Sequence, residues 1–101
     1  MEIKYGEVYT IKLRTGDELV AKITGKNTDS RAYNVEGLLA IGQGKNGPEL
    51  MPILSTTDSN AAGMIYIETI MMIFPTIEAV ADVYRESLGG VHVPEKKILM
   101  T

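Results

Sequence analysis

The chain has 101 residues, 45% of them hydrophobic and 23% charged, and a formal net charge of −3. Its length suits one domain and its composition suits a packed core, so wholesale disorder is excluded, and no uncharged apolar run of about 18 residues exists to form a spanning helix. With no cysteine and a single histidine, His92, the chain lacks disulfides, thiolate metal sites and a cysteine nucleophile, and is poorly equipped for a histidine metal cluster or a Ser/His/Asp triad.

The opening MEIKYGEVYT carries charges at once and has no apolar leader segment, so no secretory signal is expected and the cytoplasm is the expected location. Ile3, Tyr5, Tyr9, Ile11 and Leu13 fall on odd positions, with Lys4, Lys12 and Arg14 between them. This period of two predicts a half-buried strand. Arg14-Thr15-Gly16-Asp17 reads as a tight turn into a second strand, with Leu19, Ala21 and Ile23 on one face and Val20, Lys22 and Thr24 on the other. A polar loop is expected over Gly25–Ser30, dense in residues that bond their own backbone. The third strand is read with Tyr33, Val35, Leu39 and Ile41 inward and Gly37 in the same register, where a glycine marks a bend.

Gly42–Pro48 is the most turn-rich segment, and Glu49–Leu54 can extend the sheet only at an edge or bulge because of Pro52. Ser55–Gly63 reads as another loop. In the run Met64–Phe74 both parities are apolar, so either the chain's own helix or a neighbouring subunit must cover it. Pro75 stops that strand. Thr76 is the expected N-cap of a helix, with Glu78 in the first turn and Ile77, Val80, Ala81, Tyr84 and Leu88 along one stripe. Gly89-Gly90 is expected to end it in the left-handed manner. The expectation is one domain over 1–90, with strands over about 3–74 and a helix over about 76–88, then a tail over 91–101. The fold class is mainly β with one helix, a small curled five-stranded antiparallel sheet or partly open barrel with the helix after it.

Charge is unevenly spread. The first half holds Lys4, Lys12, Arg14, Lys22, Lys26, Arg31 and Lys45, balanced by as many carboxylates, while the second half is acidic. A local anion-binding rim is compatible with this; a broad basic face is not.

Two segments carry a family resemblance. Leu13 to Gly25 (LRTGDELVAKITG) resembles the first Sm motif, a strand, a glycine turn and a strand of alternating aliphatics followed by a polar loop. Tyr66 to Pro75 (YIETIMMIFP) resembles the second, where a strand breaks at a short turn and an apolar strand runs to a proline. Over about residues 7–75 the chain is similar to the Sm-like family, nearest in spacing to its bacterial Hfq branch. The resemblance implies a homo-oligomeric ring of about five to seven copies, closed by strand pairing between subunits, that binds RNA or single-stranded DNA at its pore. The chain departs from the family at the second motif: Ile67-Glu68 stands where the bacterial proteins have Lys-His, and Glu68-Thr69 where others have Arg-Gly. Its helix follows the last strand instead of preceding the first.

The candidate nucleic-acid residues are Lys26, Asn27, Asp29, Ser30 and Arg31 in one loop and Glu68 and Thr69 in the other turn. Arg31 would meet phosphate or stack on a base, and Asn27 and Ser30 would supply hydrogen bonds. Read without the family, both segments are ordinary polar turns. Tyr66 and Tyr33 are read as core by inward register, with stacking as the alternative. Met64, Met71 and Met72 are read as filling a core or an interface. Gly42–Gly47 lacks the ending of a phosphate loop, and Asp17 and Glu18 face opposite sides of a strand, so they form no acid/base pair. No catalytic constellation, metal site or cofactor is expected, and no membrane partner. The alternative to nucleic-acid binding is a ring that serves as a protein-interaction or assembly scaffold, which net acidity and Glu68 favour.

Overall fold

The computed structural model describes residues 2–89, so the expected tail, His92 and Gly90 lie outside the described residues. The apolar runs form six strands, β1 (Glu7–Leu13), β2 (Glu18–Asn27), β3 (Ala32–Gly44), β4 (Gly47–Pro52), β5 (Ala62–Tyr66) and β6 (Ile70–Pro75), followed by α1 (Glu78–Leu88). The sixth strand arises because a single 3-10 turn at Ile67–Thr69 divides the long apolar run into β5 and β6. The sheet is antiparallel, in the order β4-β3-β2-β1-β6. β5 pairs with residues 32–36 of β3, on the edge that β4 occupies farther along at 39–44. The sheet is not closed into a barrel. Mainly β with one late helix, the architecture is the class that the sequence pattern predicts.

Both faces of the sheet carry a core. Tyr9, Ile11, Leu19, Ala21, Ile23, Val35 and Ile65 cluster on the inner face. On the outer face Val8, Val20 and Leu39 pack against Val80 and Tyr84 of α1. β2 divides as its alternation requires, Leu19, Ala21 and Ile23 inward and Val20 outward.

β3 does not keep one register. Val35 belongs to the inner core, whereas Leu39 joins the outer one with Ile41 against it, and Leu38 and Ala40 take over the inner face. The reason is a β-bulge. Val20 pairs with Leu39 but Lys22 with Glu36, so β3 carries one more residue than β2 across that interval. A single inserted residue inverts every later side chain. Gly37 lies in the inserted stretch at φ +66, a conformation that suits glycine, and a Cβ there would collide with Leu88 and the Tyr84 hydroxyl. The expectation that Tyr33, Val35, Leu39 and Ile41 share one face is therefore corrected by the bend that Gly37 itself makes.

Four smaller expectations are also corrected. β1 begins at Glu7, after a turn with Gly6 at φ +97, and Tyr5 is exposed although Ile3 packs on the inner core. β2 continues to Asn27 and β3 to Gly44, so the two expected loops shrink to short turns, the second with Gly47 at φ +117. Ile77, not Thr76, is the N-cap, since the Thr76 hydroxyl instead meets that of Thr10 at 2.9 Å. Gly89 is the C-cap, at φ −76, and the left-handed position expected after it falls on Gly90, outside the described residues. Along the expected helix stripe Val80, Ala81 and Tyr84 are buried and Leu88 packs on them, but Ile77 is 55% exposed. No helix among the described residues is long and apolar enough to cross a membrane.

Candidate nucleic-acid interface

The β2–β3 ladder runs as far as Asn27 opposite Ala32, which leaves residues 28–31 to reverse the chain. Asn27 shapes that reversal: its side-chain Oδ1 accepts the Ser30 backbone N–H at 3.0 Å, a local bond of the kind for which asparagine is favoured in turns. The Arg31 N–H donates to the Thr28 carbonyl at 3.3 Å, and Arg31 takes φ +52. A non-glycine residue in that region costs about 1–2 kcal/mol. Its own carbonyl then accepts the Ile67 N–H at 2.9 Å, which joins this turn to the 3-10 turn after β5.

The 3-10 turn is held from the other side. The Thr69 hydroxyl donates to the Tyr66 carbonyl at 2.7 Å. Arg14 donates its Nε to the Glu68 carbonyl at 2.6 Å and its backbone N–H to the Thr69 carbonyl at 2.8 Å. Upstream, Ile65 is buried in the inner core, so alternation sends Met64 and Tyr66 outward, and Tyr66 is 52% exposed.

An open groove lies between the two turns, lined by Lys26, Thr28, Ser30, Arg31, Tyr66, Ile67 and Glu68. Two cations and one carboxylate therefore share it with an exposed aromatic ring. None of the three charged side chains makes an ion pair within the described residues; ion pairs there join Arg85 to Glu78 and to Asp82. The charged groups are exposed and the phenol ring faces solvent, an arrangement suited to phosphate contact and base stacking.

Four of the seven residues singled out from the sequence, Lys26, Ser30, Arg31 and Glu68, meet in this groove. Asn27 and Thr69 shape the two turns and do not line it, and Asp29 is an exposed turn residue outside it. Tyr66 belongs to the groove, against its reading as core, while Tyr33 does pack on the inner core. Arg14 was not singled out. Its contact with Glu68 spans 54 residues of sequence, and nothing local marks it. Met64, Met71 and Met72 are exposed, so they fill no core among the described residues. Gly42–Gly47 forms strand and hairpin turn, with no helix following.

The chain matches no family model and no curated protein. The Sm-like resemblance therefore stands on the two motifs.

Proposed function

We propose that this chain is an Sm-like subunit of a cytoplasmic homo-oligomeric ring that binds RNA or single-stranded DNA, as a binding protein and not an enzyme. The observation that carries the reading is the groove: two turns far apart in sequence are clasped by the Arg31–Ile67 bond, and around them stand an exposed tyrosine and two cations that make no ion pair within the described residues. Arg31 holds a strained backbone there, and strain of this kind concentrates at functional sites. The outer edges of β5 and β6 support assembly. Among the described residues neither has a second strand partner, and Met64, Tyr66, Met71, Met72 and Phe74 are exposed along them. Such edges invite pairing with another chain, and a head-to-tail contact between β5 of one copy and β6 of the next closes into a ring of about five to seven subunits. Each closure repeats the groove, which turns one Lys26–Arg31 pair into a circle of charge.

A second reading keeps the ring as a protein scaffold. It is favoured by an apolar groove on the outer face, where Met72, Phe74 and Ile77 lie exposed beside Val20, Ile41 and Val80, and by the net charge of −3. Titration of labelled oligo(U), oligo(A) and single-stranded DNA over a range of salt separates the two. Affinity that falls steeply with salt is expected for the nucleic-acid ring; no binding at low salt would leave the scaffold.

A further inference from the structure

We infer that the groove selects guanine among single-stranded bases, with the Glu68 carboxylate reading the base's Watson–Crick edge; this rests on the nucleic-acid reading above. A lone carboxylate beside a phosphate path repels the ligand unless it meets donors. Glu68 is such a group: it lines the groove with Lys26 and Arg31, and its carboxylate forms no hydrogen bond or ion pair with the described residues. Its backbone, in contrast, is fixed, because Arg14 Nε holds the Glu68 carbonyl at 2.6 Å and the Thr69 hydroxyl closes the turn. The side chain thus projects from a rigid base two residues after an exposed tyrosine ring on which a base can stack.

An ionised carboxylate offers acceptors only, side by side. Uracil sets its single N3–H between two carbonyl oxygens. Adenine sets its amino group beside a bare N1, and cytosine sets its own beside a bare N3. Guanine alone presents two neighbouring donors, N1–H and the N2 amino group, which a carboxylate can take as a charge-assisted pair. The charge that opposes phosphate in every other complex therefore becomes a contact in this one.

The test is the affinity of four labelled hexanucleotides, U6, (UA)3, (UC)3 and (UG)3, for the wild type and for Glu68→Gln at low salt. Isolated guanines separated by uridines avoid stacked tetrads. Wild type should bind (UG)3 roughly tenfold or more tighter than the other three. Glu68→Gln replaces one acceptor with a donor, so it should lose that preference, gain affinity for (UA)3 through the N6 and N1 pair of adenine, and bind U6 no more weakly than wild type. Because the Glu68 side chain is exposed and its structural bonds are backbone ones, the thermal melt of the variant should match wild type. Equal affinity of wild type for all four, or a guanine preference that survives in Glu68→Gln, would overturn the inference and leave the nucleic-acid reading standing. Failure of every hexanucleotide to bind would overturn both.

Discussion

Where the β2–β3 ladder breaks, the hydroxyl of Tyr84 accepts the Lys22 backbone N–H at 3.2 Å and donates to the Glu36 carbonyl at 3.0 Å. One phenol from α1 thus satisfies the two backbone groups beside the bulge. Tyr84→Phe keeps the ring and strands both, and should cost about 1–3 kcal/mol in chemical denaturation. Burial first of all, and the charge of Glu36 to a lesser degree, push the Tyr84 pKa up to about 12, against the opposing effect of the Lys22 N–H. The folded value lies above the ordinary value of 10.0, so the unfolded chain releases this proton first. The stabilisation is therefore whole below about pH 10 and lost as pH rises toward about 12. A denaturation series over that range should show a decline in wild type that is reduced in Tyr84→Phe. Gly37→Ala should be more damaging than a surface substitution, because its Cβ would press on Tyr84 and Leu88 from a strained φ. Arg31→Gly separates strain from function: relief of the left-handed arginine should leave the melting temperature unchanged or raised, while nucleic-acid affinity falls.

At the scale of elements, α1 covers the outer face of the sheet chiefly through Val80, Tyr84 and Leu88. A side chain such as Val80 is worth roughly 1.5–3 kcal/mol when buried, and a carboxylate in its place adds a desolvation penalty. Val80→Asp should therefore lower the unfolding midpoint by several kcal/mol equivalent, or prevent folding; a wild-type melt would mean the helix does not pack there. This helix and the first two strands were legible in place and facing because their periodicities are clean, but their ends, the Glu7 start, the Asn27 finish and the Ile77 cap, were not. β3 was legible in extent around its centre but not in facing, since alternation read from sequence assumes a constant register and the bulge at Gly37 breaks it. The run 64–74 hid its parity because both sets of alternate positions are apolar; only the burial of Ile65 shows that Tyr66 points out. The groove was half legible. Polar turn chemistry marked Lys26, Ser30, Arg31 and Glu68, but the bonds that bring them together, Arg31 to Ile67 and Arg14 to Glu68, join residues distant in sequence.

For the whole molecule, the edges of β5 and β6, which have no second strand partner among the described residues, and the exposed methionines and Phe74 beside them are where the proposed ring would close. Light scattering at micromolar concentration should report a closed oligomer of about five to seven subunits, and a monomer would sink the ring. The most direct test of the binding claim is the salt dependence of affinity for a labelled single-stranded oligonucleotide, measured on wild type, Arg31→Ala and Lys45→Ala. Lys45 serves as the control, an exposed cation in the β3–β4 turn away from the groove. Each phosphate contact that is lost removes about 0.7 from the slope of log affinity against log salt for a single strand, multiplied around a ring. Wild type and Lys45→Ala should both show a steep slope, with affinity abolished or the slope flattened in Arg31→Ala. An Arg31→Ala protein that binds as tightly and as salt-dependently as wild type, while Lys45→Ala does not, would contradict the binding claim.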